Sequence, residues 1–531
     1  MPHTLLPPGR HAGLLVPLFS MPSTRSWGIG EIADIPVFAS WLSLAGQDLL
    51  QLLPINEMAV GQRSPYSAMT AMAIDPIFIS VHQLEDFVAA GGEAAMGAGW
   101  REALGAARRS PTIDYPLVRE VKGPALRKAF ARFHAEEWRR ATPRAAALRA
   151  WCAEQSWWLD DYALFRALHA HHQDRPWHEW PPAVASRAAG ALVEARREHE
   201  DGILYRSWLH WVADLQWRAA RRAARPVRLL GDLPFMVDAD SADVWAHADA
   251  FRLDAAVGAP PDAFSKDGQN WGLPVYRWDV FEERGFSWLR DRARRSVALY
   301  DGYRVDHLVG FYRTYVFPTD GSEAFFTPEH EDDQLRLGEA VLGVFAEPGA
   351  RIIAEDLGTI PDFVRHSLAR LGIPGYKVFR WEREWKQPTQ PYRDPALYEA
   401  ASVATTGTHD TETIAAWWDG LDEAERLMAL AAPGVAERLG DDALPAGDFT
   451  PALRDTLLEV LFASGSDFLL LPVQDVFGWR ERVNLPASQG DHNWTWRMPW
   501  PVDTLTDQPE ARERAEQLAR WSVKHARGSQ A

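Results

Sequence analysis

The chain has 531 residues, 47% hydrophobic and 24% charged, which are globular values and exclude disordered and fibrous classes. Its 56 basic and 73 acidic side chains leave a net charge of -17, so nucleic acid and anionic membrane are poor partners. The single cysteine, Cys152, cannot pair internally, prolines cut the apolar N-terminal stretch, and no apolar run approaches the ~20 residues that span a bilayer; a soluble, cytoplasmic protein is expected.

Short apolar runs bounded by turn residues recur along the chain. In order, strands are predicted at Leu14–Phe19, Asp48–Pro54, Val227–Leu233, Asp301–Asp306, Arg351–Glu355, Gly375–Arg380, Ser402–Thr408 and Asp467–Pro472. Several are apolar throughout, as strands buried on both faces are. Helical stretches lie between them, among them Ile35–Leu44 and Asp362–Leu371. This alternation is the arithmetic of an α/β fold, a (β/α)8 TIM barrel with large, mainly helical insertions. An open doubly wound sheet is the rival, but no glycine-rich phosphate fingerprint follows the first strand.

On this reading residues 1–54 begin the barrel and 55–226 form an inserted, mostly helical subdomain. Its predicted helices are Gly123–Phe133, Ala145–Trp151, Trp157–Ala170 and Gly202–Ala224. Residues 227–508 complete the barrel with smaller insertions at 307–350 and 409–466, and 509–531 form a C-terminal helix and tail. The basic stretch Ser207–Arg225 reads as a solvated helix face, and the acidic run Glu329–Asp333 as surface. The 25 Trp, 23 Phe and 12 Tyr are mostly core, although flat aromatic faces also suit sugar rings.

A barrel carries its chemistry at the C-terminal ends of its strands, so the residues ending each run are the candidates. The fourth run ends Tyr303-Arg304-Val305-Asp306-His307, the fifth Ile353-Ala354-Glu355-Asp356, and the seventh Thr406-Gly407-Thr408-His409-Asp410. Asp232, Asp356 and Asp475 end the third, fifth and eighth, and are read as helix caps or as support for the site. Glycoside cleavage needs one carboxylate as nucleophile and one carboxylic acid to protonate the leaving oxygen. An arginine two residues before Asp306 fits that need: it keeps the aspartate ionised while a less compensated glutamate stays protonated.

These residues carry a resemblance to the amylomaltase (disproportionating enzyme) family of 4-α-glucanotransferases, within the α-amylase-like clan. It runs nearly end to end, through Gly13-Leu-Leu-Val-Pro-Leu-Phe-Ser20, Trp27-Gly-Ile-Gly-Glu31, Ser64-Pro-Tyr-Ser67, Trp158-Leu-Asp-Asp-Tyr-Ala-Leu-Phe165 and Gly231-Asp-Leu-Pro234. Asp240-Ser-Ala-Asp-Val-Trp245 follows, then a segment resembling the family's acceptor-side loop from Gly258 to Gly272. Arg304-Val-Asp-His307, Ala354-Glu-Asp-Leu-Gly358, Thr408-His-Asp410 and Asn493-Trp-Thr-Trp-Arg497 complete the series. The resemblance implies Asp306 as nucleophile, Glu355 as general acid/base and Asp410 as the third carboxylate, which holds sugar hydroxyls. It implies Arg304, His307 and His409 in the donor-sugar subsite, with Tyr66 stacking on that sugar. Asp262, Gln269 and Trp271 match the acceptor-side loop, and Asn484 a glucan-contacting asparagine. No cofactor and no metal are implied. The implied partners are maltooligosaccharides and starch- or glycogen-type glucans, with free glucose as a further acceptor.

The chain departs from the family pattern at Leu308 and Val309, at Thr411-Glu412 and at Ala263, which bear on acceptor preference. Other readings stay open on the residues alone. A retaining hydrolase of the same clan shares every step up to deglycosylation, and an inactive glucan-binding protein would not need all three carboxylates. A metal-dependent barrel would need a His-x-His where Phe19-Ser20-Met21 stands, and His169, His171 and His172 do not converge on one helix. Cys152 reads as an inert packing residue.

Overall fold

A computed structural model describes residues 6–261, 268–439, 447–486, 488, 490 and 492–528. Among these, strands β1 (His11–Leu15), β2 (Leu49–Gln51), β3 (Arg228–Leu233), β4 (Phe251–Ala259), β5 (Gln269–Tyr276) and β6 (Gly302–Val305) occupy the first part of the chain. Strands β7 (Thr314–Pro318), β8 (Phe325–Thr327), β9 (Arg351–Ala354), β10 (Gly375–Val378), β11 (Ser402–Thr405) and β12 (Phe468–Pro472) follow. Eight of them pair in parallel in the order β10-β11-β12-β1-β2-β3-β6-β9 and curl into the expected (β/α)8 barrel.

Seven of the eight predicted runs contain a barrel strand, most shorter than predicted at their C-terminal ends; the first run meets β1 only at Leu14 and Leu15, because that strand begins earlier, at His11. The first stops before Pro17, which has no N–H to donate, and Leu18–Ser20 turns instead. Side chains alternate in period two: Phe468 and Leu470 of β12 join Leu49, Leu230, Ile353, Val378 and Val403 in one cluster, while Leu469 and Leu471 pack into the other.

Two polar devices hold the seam between β9 and β10, where the ladder is weakest. The Ala354 N–H donates to the Pro374 carbonyl at 2.8 Å, and the Tyr376 N–H donates to Asp356 Oδ1 at 2.7 Å. Asp356 therefore ties one strand to the next instead of capping a helix. Asp475 also caps across the structure, accepting the first N–H of helix Ile414–Gly420 at 2.7 Å and the Thr406 hydroxyl.

The long connection between β2 and β3 contains helices Tyr115–Phe133, Pro143–His171 and Glu200–Ala223. Two predicted helices are one here, because the polar interval Cys152–Ser156 consists of residues that a helix accepts. The basic face of Glu200–Ala223 is not simply solvated. Arg221 and Arg225 reach Asp301 at 2.8 and 2.6 Å, and Trp217 donates to the Leu299 carbonyl at 2.8 Å, so this helix is pinned to the base of β6. His169 lies between Asp174 and Asp240, 2.9 Å from each, and no group of three metal-binding side chains occurs among the described residues. Burial pushes the Cys152 thiol up to about 11, which leaves it unreactive near neutrality. No described helix is long and apolar enough to cross a membrane.

The sequence reading missed a second sheet. Strands β5-β4-β7-β8 form an antiparallel four-stranded layer beside the barrel mouth. Its Ala- and Gly-containing β4 has weak strand character, and its pairing with β7 joins residues about sixty apart in the chain, which no local pattern reveals. The acidic run is surface, as expected, and Glu331, Asp332 and Asp333 form the first turn of helix Glu331–Ala346, where carboxylates favour the helix dipole.

Asp356→Ala leaves the buried Tyr376 N–H without a partner and should lower unfolding free energy by about 1–3 kcal/mol. Asp356→Asn keeps an acceptor and should lose less than half as much. Urea midpoints would show this ordering, and equal losses would contradict the seam role.

Candidate active site

The site begins with strand register. Asp232 of β3 and Arg304 of β6 are direct partners in the parallel ladder. The ladder continues one step past the strands: the Asp306 N–H donates to Leu233 O at 3.0 Å and the Glu355 N–H to Val305 O at 3.0 Å. Asp306 and Glu355 thereby leave adjacent strands on one rim.

Arg304 sits among three carboxylates with its side chain only 5% exposed. Its Nη1 lies 2.7 Å from both Asp232 oxygens and 2.9 Å from Asp306 Oδ1, and Nη2 lies 3.8 Å from Glu355 Oε2. Asp232 also accepts the Tyr66 hydroxyl at 2.7 Å. The guanidinium is thus shared unequally. Asp232 is hydrogen-bonded to it, Asp306 is ion-paired to it at 2.9 Å, and Glu355 is held at a greater distance.

Protonation follows from this asymmetry. Burial raises the Glu355 carboxyl to about 7 against the pull of Arg304, and the nearby Asp306 charge adds to the rise. Burial acts on Asp410 in the same direction, but His409 and the Asn484 amide outweigh it and hold that carboxyl at about 2. Burial drives His307 down to about 4 despite Asp306, so its ring is neutral near pH 7. His409 moves the other way: burial opposes its charge, and Asp410 overrides it.

The walls are aromatic and polar by turns. The Tyr66 ring stacks on His409 at 5.3 Å and 15°, with Trp494 tilted against both at 5.7 Å. Asn484 Nδ2 donates to Asp410 Oδ1 at 2.6 Å, and His409 Nε2 lies 3.1 Å from the other oxygen. Arg482 fastens the Asp410 and Asn484 carbonyls at 2.7 and 3.1 Å. Glu412 anchors this corner, 2.8 Å from Arg380 and 3.5 Å from Arg482, so the Thr411-Glu412 departure supports Asp410 from behind.

His307 adopts a left-handed backbone (φ 41°), which aims its N–H at Glu355 Oε2, 2.7 Å away. Its ring meets the Trp271 indole edge-on at 4.7 Å. Leu308 and Val309 pack against the core and do not line the cavity.

These groups enclose a cavity of about 500 Å³ lined by Tyr66, Phe235, Gln269, Trp271, Arg304, Asp306, His307, Glu355, Asp410, Asn484 and Trp494 among others. His409 stands directly behind the Tyr66 ring. Gln269 and Trp271 reach the cavity from strand β5 and not from a loop. Asp262 and Ala263 lie outside the described residues.

Sequence reasoning undervalued Asp232 and did not place Phe235, Trp494 or Arg482. The signal for Asp232 was its position opposite Arg304, which requires knowing that β3 and β6 are neighbours across two intervening strands. Trp494 lies in a quoted motif, but its approach to Tyr66 depends on a left-handed turn (φ 64°).

The family model described as "4-alpha-glucanotransferase" matches residues 16–504. A 4-alpha-glucanotransferase of Thermus thermophilus is 32% identical over 507 residues, covering 92% of this chain and 95% of that one. The chloroplastic/amyloplastic enzyme of that name from Solanum tuberosum is 31% identical, covering 92% and 82%. Among solved structures, the amylomaltase from Streptococcus agalactiae in complex with acarbose superposes with a TM-score of 0.81 at 27% identity, covering 98% of this chain and 100% of that one. The amylomaltase from Corynebacterium glutamicum shares the fold at a TM-score of 0.77, covering 96% and 75%.

A raised Glu355 costs stability in a definite pH window. Below about pH 4.5 both folded and unfolded states hold the proton. As pH rises to about 7 the unfolded chain releases it first, so the folded state loses ground, on the order of a few kcal/mol in all. Glu355→Gln should therefore be more stable than the parent by a margin that widens from pH 4.5 to 7 and then levels off. Denaturation across that range reads it; a constant margin would mean that Glu355 binds its proton equally well in the folded and unfolded states.

Proposed function

The chain belongs to the 4-alpha-glucanotransferase family, and on that premise we propose how its side chains transfer α-1,4-glucan segments from donor to acceptor. The observation that carries this reading is the split between two carboxyls on adjacent strand ends. Asp306 is ion-paired to Arg304 at 2.9 Å, while Glu355 is left to burial and keeps its proton up to about 7.

A retaining double displacement uses that split directly. Asp306 attacks C1 of the donor sugar as Glu355 passes its proton to the departing glycosidic oxygen. The glycosyl ester on Asp306 then meets an acceptor whose 4-hydroxyl gives its proton back to Glu355, and C1 is released onto that oxygen with its original configuration. Asp410, ionised and held by His409 and Asn484, accepts hydroxyls of the donor sugar as its ring flattens. Tyr66, braced by His409 from behind and by Asp232 at its hydroxyl, offers that sugar a fixed aromatic face. The leaving group is an oxygen that a carboxylic acid can protonate, so the reaction needs no cofactor. Maltooligosaccharides and starch- or glycogen-type glucans are the donors, and free glucose can serve as an acceptor.

Incubation with maltotriose tests the reading. A ladder of longer oligomers marks transfer, glucose and maltose alone mark the rival hydrolase, and no change marks a binding protein. Asp306→Ala should lower turnover by several orders of magnitude, whereas more than about a tenth of activity remaining would reject it as nucleophile. Glu355→Gln should cripple natural glucans but spare α-maltosyl fluoride, whose leaving group needs little protonation. Asp410→Asn should hurt both alike, so the same substrate dependence in the two variants would mean the roles are wrongly divided.

Transfer prevails over hydrolysis only where a sugar is held against the ester and water is kept away. Trp271 is half-buried, lines the cavity and rests its edge on His307, next to Asp306. Trp271→Ala should lower the ratio of transfer to hydrolysis while formation of the ester falls less. A stable variant with an unchanged ratio would remove Trp271 from the acceptor side.

A further inference from the structure

Of the 25 tryptophans in the chain, all within the described residues, only Trp385 is exposed, at 55%. It stands on a hairpin that follows β10, bridged between Arg383 and Tyr392 and closed by the Glu384 N–H on Pro391 O and the Arg393 N–H on Glu382 O, both 2.9 Å. The indole N–H donates to the Trp381 carbonyl at 3.1 Å, which holds the ring in place.

Behind the indole lies a built support. The Arg383 guanidinium carbon is 5.2 Å from the Trp385 ring centre and 5.2 Å from that of Tyr392, and Tyr392 stacks on Phe379 at 5.1 Å and 9°. Arg383 is itself buried and tied to Glu425 at 3.0 Å and to the Gln390 carbonyl at 2.7 Å. The layers run Phe379, Tyr392, Arg383, Trp385, from the residue just past β10 out to water. A scattered exposed aliphatic side chain needs no explanation, but an indole held rigid at the end of such a stack is an unfinished one.

We propose that Trp385 is an accessory stacking subsite for a pyranose ring of an α-glucan, and this rests on the reading of the chain as an α-glucan transferase. The apolar face of a pyranose matches the bare indole, and its equatorial hydroxyls would meet the polar residues Lys386, Gln387 and Thr389, exposed on the same hairpin. The ring is ordered before binding, so little conformational entropy opposes the contact. The hairpin leaves the C-terminal end of a barrel strand, the same end from which Asp306 and Glu355 project. A long chain cannot fit inside a cavity of about 500 Å³ and must continue over that face.

Native gels containing amylose test this in the Asp306→Ala background, where the gel glucan is not consumed. Asp306→Ala should be retarded, its combination with Trp385→Ala should show an apparent affinity at least five-fold weaker, and Trp385→Phe should fall between. In the active enzyme, Trp385→Ala should keep its maltotriose rate within two-fold and raise KM for amylose. Unchanged retardation, or equal losses on maltotriose and amylose, would overturn the proposal. So would sedimentation showing a dimer that depends on Trp385, which would assign the indole to a second copy. A parent enzyme that makes no maltotriose ladder, with the gel difference intact, would instead overturn the transferase reading and leave the subsite standing.

Discussion

One buried guanidinium governs this site. Arg304 carries a single positive charge and faces three carboxyls, and it cannot serve all of them equally. Asp232 contacts it through both oxygens, Asp306 through one ion pair at 2.9 Å, and Glu355 only from 3.8 Å. Glu355, buried beside the Asp306 charge and farthest of the three from the cation, is the carboxyl pushed up to about 7. On the proposed mechanism the nucleophile and the acid are therefore distinguished by position around one side chain, with no difference in their own chemistry required.

That arrangement constrains its surroundings. Holding Glu355 neutral near pH 7 costs folding free energy at alkaline pH, and the left-handed His307 between the two carboxyls adds backbone strain. Such a set persists only where neighbours over-determine it. Parallel register fixes Asp232 against Arg304, hydrogen bonds beyond the strand ends fix Asp306 and Glu355, and the Arg380-Glu412-Arg482 chain fixes Asp410 from behind. The seam at β9 and β10 lies beside Glu355 in sequence, and Asp356, the next residue, closes it. Catalytic geometry and barrel closure share that pair of neighbours.

The second sheet answers a different demand. Hydrolysis needs only the carboxyls, whereas transfer needs an acceptor to displace water, and that requires a wall on the outer side of the cavity. On the proposed reading strand β5, paired to β4, supplies it, carrying Gln269 and Trp271 to the mouth. The β4–β5 ladder skips Trp271 and Gly272 between the paired Asn270 and Leu273, so Trp271 stands at a bulge of β5 and its indole rests on the His307 ring.

How far each feature could be read from the chain alone depends on the range over which it is encoded. The eight barrel strands are local, apolar and bounded by turn residues, so their existence and order were legible, as was the placement of Arg304, Asp306, Glu355 and Asp410 at their ends. Helix Asp362–Leu371 was legible to the residue because its amphipathic period and terminal Gly372 are both local signals. The four-stranded sheet was not, since β4 pairs with β7 across a barrel strand and has weak strand character of its own. Whether Asp232 and Asp356 cap a helix or support the site was left open until β3 met β6 and β9 met β10. The chain by itself determined which groups could do chemistry. Arg304, two residues before Asp306, already pointed to Glu355 as the carboxyl that keeps its proton. Only the tertiary structure decided how one cation is shared among Asp232, Asp306 and Glu355 and how deeply each is buried, because those distances are set between strands and not by residues close in sequence.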